Sequence, residues 1–325
     1  MAKTRQTLLV TEKPSQAKNI LPHWQEHFPD DEITQFHTPP IGSFRFRLPR
    51  DLPLSSVPII ADPILERRPP GVIQPPGVSP FDGDFGALAR AADHIVCATG
   101  FDPAGCRNFL DLMTQYRVET PLSEISWLAL RAEDATSVTA GIAKNLHADN
   151  PEFARMAAIG QARQYFNHLY LVNALPVFGL ALRAAGIDPT GKFSFLSKYT
   201  LQMLLLLARL EPGPLLWKEL IKLMVKDPGS QDRSQIGSPM SREAIVSWLW
   251  GSGCLTRQDQ DGPVRYVLSD RGRRLAGLIH KDCFDPHLSS RLEGWGETWP
   301  ASKPAIERYV RTFFGKEKRF LLRKV

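Results

Sequence analysis

Cysteine is scarce in this 325-residue chain: there are four, Cys97, Cys106, Cys254 and Cys283, and no two stand in CxxC spacing. A disulfide-built miniprotein is thereby excluded, and a reduced, intracellular setting is the expectation. Long apolar runs are lacking too. The longest, Leu201 to Leu207, falls well short of the ~20 residues that cross a bilayer and reads as a buried helix, so no membrane partner is expected. The polar opening Met1-Ala-Lys-Thr-Arg-Gln-Thr has none of the regions of a secretion signal. The expected location is cytoplasmic, and nucleoid-associated if the source is bacterial. Charge of one sign is also scarce over most of the chain. Forty Lys and Arg against 34 Asp and Glu give a formal +6, but residues 303–325 hold eight basic residues against two acidic ones. Residues 1–300 are therefore formally neutral, and the affinity for anions that a net positive charge favours belongs to the C-terminal end.

With 43% hydrophobic and 23% charged residues, wholesale disorder is excluded and two or three packed domains are affordable in length. Thr7-Leu-Leu-Val-Thr11 predicts a buried strand, followed by Glu-Lys-Pro-Ser and a helical stretch Gln16–Ile20 that Ser15 is able to cap. Residues 37–83, rich in Pro and Gly, predict loop and extended chain with one short strand at Ser43-Phe-Arg-Phe-Arg47. Phe85 to Ala92 predicts a helix, His94-Ile-Val-Cys-Ala98 a strand, and Thr99 to Gly105 a turn into a helix over Cys106–Tyr116. Strands alternating with helices predict an α/β domain with a largely parallel sheet.

From Glu124 onward, apolar residues recur at helical spacing through Trp127, Leu130, Ile142 and Leu146, then through Tyr165, Leu169, Val172 and Leu175. A mainly helical second domain is predicted. Within it, Ser241–Trp250 predicts an amphipathic helix, Cys254–Arg257 and Arg265–Leu268 two strands around a turn at Asp261-Gly-Pro263, and Ser269 the cap of another helix. Helix, two-stranded wing, helix is the winged-helix arrangement. The expected division is an α/β domain over 1–135 with a Pro-rich insertion at 37–83, a helical winged-helix domain over 136–300, and a basic C-terminal helix or tail over 301–325.

Two strand ends carry chemistry. Leu8-Leu-Val-Thr-Glu12-Lys13-Pro14-Ser15 puts a carboxylate and an amine past one strand, and Ile95 to Gly105 puts Asp102 past another. Parallel sheets gather such ends into one crevice. The constellation resembles the Toprim domain of type IA DNA topoisomerases, whose opening motif reads much like Glu-Lys-Pro-Ser and whose second is Ala-Thr-Asp-x-Asp-x-Glu-Gly. Collinear segments extend the resemblance. Ile125-Ser-Trp-Leu-Ala-Leu130 is similar to the segment after Toprim. Ala162-Arg163 through Asn167, His168 and Asn173-Ala174 resembles the helix Ala-Arg-x-x-x-Asp-x-Leu-x-x-x-Asn-Ala. Lys198-Tyr-Thr-Leu-Gln-Met-Leu-Leu-Leu204 looks like Gly-Arg-Val-Gln-Thr-Pro-Thr-Leu, and Ile236 to Ile245, with Arg242, resembles Ile-Gly-Thr-Pro-Ala-Thr-Arg-x-x-Ile.

The resemblance implies an α/β Toprim domain plus a mainly helical domain with a winged-helix element, a topoisomerase III-like protein in truncated form. Two large domains of the family, including the gate and the catalytic tyrosine, are replaced by Pro212-Gly-Pro214. Strand passage needs a covalent phosphotyrosine and an opening gate, so its loss is expected. Two of the three acidic Toprim positions are Gly100 and Ala104, leaving Asp102 with Glu12 as the oxygen ligands for Mg²⁺. What the resemblance implies is residual chemistry at Glu12 and Lys13, metal binding at Asp102, and DNA contacts at Arg163, Asn173, Lys198 and Arg242. The basic end adds Lys316, Lys318 and Arg319, interleaved with Phe313, Phe314 and Phe320. Each has a plainer reading beside it: Asp102 as helix cap, Ser241 capping in place of Arg242 binding phosphate, Arg163 and Asn173 as helix surface, His168 as a packed imidazole, and the tail as solvated charge. Tyr309, the tyrosine in a family-like Tyr-x-Arg-Thr context, shares an apolar helical face with Ile306, Val310 and Phe313 and reads as packing.

The leading expectation is a protein that binds single-stranded DNA in a groove between its two halves and has lost strand passage. One alternative is a Mg²⁺-dependent phosphoryl-transfer enzyme, nuclease-like or completed by a partner's tyrosine. Another is a structural or regulatory subunit of a DNA-processing assembly.

Overall fold

The computed structural model describes residues 4–38, 42–47, 52–68, 84–190, 196–225, 236–258, 262–285 and 287–325. The Pro-rich stretch 69–83 and the tip of the expected wing, 259–261, lie outside them. Contacts divide the chain into two units, Met1–Arg47, Pro63–Gln164 and Gly296–Ser302 in the first, and Leu48–Asp62, Tyr165–Trp295 and Lys303–Val325 in the second. The division falls between 164 and 165 rather than at 135, and the basic end belongs to the second unit rather than forming a separate tail.

The first unit opens with strand β1 (Arg5–Thr11), helix α1 (Pro14–His27) and strand β2 (Asp31–His37). A short antiparallel pair, β3 (Phe44–Phe46) and β4 (Leu65–Arg67), is followed by α2 (Phe85–Ala91), β5 (His94–Ala98), α3 (Pro103–Gln115), β6 (Ser126–Trp127) and α4 (Ala135–Ala143). The sheet runs β2-β1-β5-β6 with every neighbour parallel. Alternation along the central strands serves two cores. Leu8, Val10, Ile95 and Cys97 pack with Phe85, Phe109 and Phe153 on one face; Leu9, Val96 and Ala98 pack with α1 and α4 residues Ile20, Trp24, Val138 and Ile142 on the other. Both faces are covered, so the central strands read as continuous apolar runs.

Three local expectations are corrected. Ser15 lies inside α1; Lys13 is the N-cap, without a side-chain cap bond, and Pro14 takes the first helical position, where its missing N–H costs nothing. Trp127 and Leu130 are not helical. Trp127 pairs with Cys97 on the sheet edge and donates its N–H to the Leu146 carbonyl, so helical spacing there was a by-product of burial in extended chain. Strand β2, unforeseen, is an edge strand with one buried side chain, Phe36, and no apolar alternation to betray it; Asp31 fixes it by accepting from Arg5, Thr7 and Trp24 at 2.7–2.9 Å.

Helix α5 (Pro151–Ala184) contributes residues to both units. It is the one helix among the described residues long and apolar enough to cross a bilayer, and 72% of its most apolar window is buried within the protein, as in a core helix. The second unit continues with α6 (Lys198–Leu210), β7 (Leu215–Leu216), α7 (Trp217–Val225), α8 (Pro239–Gly251), β8 (Leu255–Gln258), β9 (Arg265–Leu268), α9 (Asp270–Gly277), α10 (Leu288–Glu297) and α11 (Lys303–Leu321). A small antiparallel sheet runs β7-β9-β8, and Ser269 caps α9 by accepting from Gly272 N–H at 3.0 Å. Leu201, Met203, Leu204, Leu206 and Leu207 make α6 the buried helix expected of that run. Phe166, Tyr170, Phe178, Phe313 and Phe314 form a chain of aromatic contacts 4.8–6.4 Å apart.

Candidate functional site

Glu12 and Asp102 lie just past neighbouring strands of the first unit. Thr11, the last residue of β1, pairs with Ala98, the last of β5, so the two turns leave the sheet at one level. The strand order reverses between them: β1 leads to β2 on one side and the chain returns as β5 on the other. A crevice at such a switch point, beyond the carboxyl ends of parallel strands, is where open α/β sheets bind ligands.

Glycines let the turn after β5 fold tightly. Gly100 has φ +75°, and a Cβ on it would stand 3.3 Å from Asp102 Oδ2 and 3.7 Å from Glu12 Oε2, so both carboxylates face the space above it. A Cβ on Gly105 would fall 1.6 Å from the Thr99 carbonyl oxygen. Thr99 closes the turn by donating to the Gly105 carbonyl at 2.8 Å. Asp102 caps α3, its Oδ1 accepting from Ala104 N–H at 2.7 Å and Gly105 N–H at 3.0 Å, which leaves Oδ2 toward the crevice.

Glu12 is held from behind. Its N–H donates to Gln16 Oε1 at 2.9 Å, and Asn108 Nδ2 reaches its Oε1 at 3.5 Å while Arg107 donates to Asn108 Oδ1. Burial, then the Asp102 carboxylate, push Glu12 up to about 7 against the pull of Asn108, Lys13 and Arg107. The crevice, about 680 Å³, is completed by Gln16, Arg131 and Glu133. Arg131 follows β6 and its guanidinium sits 4.7 Å over Phe101, whose ring stacks on Trp127. Three successive parallel strand ends thus supply a carboxyl titrating near neutrality, a second carboxylate and a cation. Two hard oxygens facing one space suit an ion of the Mg²⁺ kind, which takes one or two carboxylates and completes its shell with water and substrate oxygens. Among the described residues no group of three His, Cys, Asp or Glu side chains converges on a point.

No protein-family model matches the sequence, and no curated protein does.

The other residues singled out by sequence are dispersed. Lys13 is exposed beside the crevice and Arg163 is half-buried on α5. Asn173 is fully buried: its Oδ1 accepts from Ile59 N–H at 2.6 Å and its Nδ2 donates to the carbonyls of Ile59 at 2.9 Å and Leu169 at 2.8 Å. Arg242 is 8% exposed and donates to the carbonyls of Ile236 and Gly237. Both amide hydrogens of the one, and Nε and Nη2 of the other, are directed to backbone. Lys198 donates to Asn167 Oδ1 at 2.6 Å and lies over Phe166 and Tyr199. His168 is buried, which lowers its pKa.

Helix α11 sorts the basic end. Lys316 pairs with Asp282 at 2.7 Å, and Lys318 donates to the carbonyls of Ser55 and Val57, whereas Arg319 is exposed. Phe314 is fully buried and Phe320 packs edge-on against His280. Tyr309 donates to Asp285 Oδ2 at 3.0 Å, and burial followed by that carboxylate pushes its hydroxyl far above the ordinary range, the opposite of what a nucleophile needs. Sequence reasoning passed over Gln16, Arg131 and Glu133. The available signal was a polar break, Arg131-Ala-Glu133, straight after the apolar run Ile125–Leu130.

Proposed function

We propose that this chain is a single-stranded-DNA-binding protein of type IA topoisomerase descent, with a Toprim-like first unit, a winged-helix-like element in the second, and no strand passage. The observation that carries this reading is the placement of Glu12 and Asp102 on adjacent turns at the sheet's switch point, the arrangement that the Glu-Lys-Pro-Ser and Ala-Thr-Gly-Phe-Asp resemblances imply. The succession α8, β8, β9, α9 supports the winged-helix reading, and the four-residue link Glu211–Pro214 between α6 and β7 supports the absence of a gate. Tyr309, packed and hydrogen-bonded to a carboxylate, offers no substitute nucleophile. In this reading Glu12 and Asp102 would hold a divalent ion, which would supply positive charge for a DNA phosphate.

A second reading, residual Mg²⁺-dependent phosphoryl transfer, is favoured by one observation: Glu12 titrates near neutrality beside a second carboxylate, as a general acid or base does. One incubation of the intact chain with labelled oligonucleotide and Mg²⁺, scored for binding, nicking and covalent adduct, separates the two. The expected result is bound, uncut DNA without adduct. A covalent adduct overturns the loss of strand-passage chemistry, nicking that Glu12→Gln abolishes establishes the second reading, and no binding removes the first.

A further inference from the structure

The exposed side of α11 differs from the rest of the basic end. Arg308, Arg311 and Arg319, with Arg323 in the turn that closes the helix, are separated by three, eight and four residues and so fall on one side of it. All four are exposed, and none is in an ion pair among the described residues. Arg308 to Arg319 covers about 16 Å of helix axis. Gly315 stands midway on the same side and adds no bulk. Of the two acids of the helix, Glu307 flanks the row four residues before Arg311 but accepts from the Tyr165 hydroxyl at 2.8 Å, and Glu317 is 1% exposed. Lys303, Lys316 and Lys318 are occupied by Asp62, Asp282 and backbone carbonyls.

Next to this row, still within the second unit, lies a groove of about 500 Å³. Tyr309, Thr312, Phe313 and Lys316 of α11 line one part of it and His287 and Arg291 another, with the lining carboxylates Asp282 and Asp285 paired to Lys316 and Arg291. The rings of Tyr309 and Phe313 are nearly parallel, 18° apart in plane with centroids 6.0 Å apart. Thr312 is exposed and sits between the arginine row and the aromatic wall.

We infer that this face is a docking surface for single-stranded nucleic acid, with phosphates along Arg308, Arg311, Arg319 and Arg323 and a base in the groove against Tyr309 and Phe313. The inference rests on the nucleic-acid reading above and gives it a location distinct from the carboxylate crevice. A row of unpaired guanidiniums is complementary to a phosphate backbone, which arginine engages bidentately. Cations beside an aromatic wall are what single strands need, because every base has a face to stack. A lipid surface fits less well. The apolar side of α11, Ile306, Val310, Phe314 and Leu321, is buried in the unit's own core, whereas a helix lying on lipid keeps its apolar side free.

The test is equilibrium binding of a fluorescent oligothymidylate to the intact chain over a range of salt concentrations. Each of Arg308→Gln, Arg311→Gln and Arg319→Gln is expected to flatten the slope of log affinity against log salt by about 0.7, the contribution of one phosphate contact. Phe313→Leu is expected to weaken binding about tenfold with the slope unchanged, the signature of lost stacking. Because Phe313 also touches the core, Thr312→Glu provides a surface variant, expected to weaken binding by placing a negative charge at the rim. Arg90→Gln, an equal charge loss on α2, is expected to change neither quantity. If the triple arginine variant binds with the parent's affinity and slope, this surface is wrong while the nucleic-acid reading stands. If the parent binds no oligonucleotide, or binds anionic vesicles through the row in its place, both fall.

Discussion

At the residue scale, Glu12 and Asn173 carry opposite burdens. Glu12 keeps its proton to about pH 7 in the folded chain, whereas an ordinary glutamate releases it near 4.5. Between those values the folded state holds a proton that the unfolded state has lost, so stability falls as pH rises through that window and stays lower above it. Glu12→Gln is therefore expected to raise the melting temperature above about pH 7 and to change it little below about pH 4.5. A lower melting temperature above that window would contradict a carboxyl held at the cost of stability, the usual condition of a functional group. Buried Glu317, also pushed up to about 7 by burial, has the same sign, and Glu317→Gln should flatten the pH dependence of stability over the same range. Asn173 is the reverse case. Asn173→Ala leaves the N–H and C=O of Ile59 without their side-chain partner, and is expected to cost about 2–4 kcal/mol in chemical denaturation. Oligonucleotide affinity per folded molecule should stay unchanged. A large affinity loss at unchanged stability would return Asn173 to the binding surface that its motif implied.

At the scale of elements, the crevice depends on helices brought unusually close to turns. A Cβ on Gly160 of α5 would fall 2.0 Å from the Pro103 carbonyl oxygen, as one on Gly105 would fall 1.6 Å from that of Thr99. Gly105→Ala and Gly160→Ala are each expected to destabilise the chain by about 3 kcal/mol or more, because backbone has to move to admit a methyl group. Unchanged unfolding midpoints would contradict the packing of α3 and α5. These elements were unevenly legible. The segments Leu8–Glu12 and Ile95–Asp102 read correctly because an apolar run buried on both faces and broken by Pro and Gly admits few alternatives. Residues 241–268 read almost as well, since Gly253 and the Gly-Pro turn punctuate the helix and two strands. Two-residue β6 carries no period to detect, and the apolar residues around it mimicked a helix. The turn at Asp102 was legible as chemistry and as a cap together; Oδ1 serves the cap while Oδ2 faces Glu12.

For the whole molecule, the scarcity of excess charge takes on a different meaning. The +6 was traceable to residues 303–325, yet the sequence does not separate cations that hold the fold from cations that face outward. Periodicity does not reveal partners distant in sequence, such as Asp62 for Lys303 or Ser55 and Val57 for Lys318. Once those are set aside, the outward charge is the arginine row and Lys324, which lies over Phe320. Likewise Arg242 and Asn173 stood in motifs implying DNA contact; Asn173 is turned to the distant backbone of Ile59, and buried Arg242 donates to the carbonyls of Ile236 and Gly237 just before it. The central claim is that the intact chain binds single-stranded DNA largely through phosphate contacts. The most direct measurement is its affinity for a labelled single strand as salt is raised. The account predicts a straight fall of log affinity with log salt, with a slope of about −2 to −3 from three or four phosphate contacts. Binding indifferent to salt, or no binding at low salt, would contradict it.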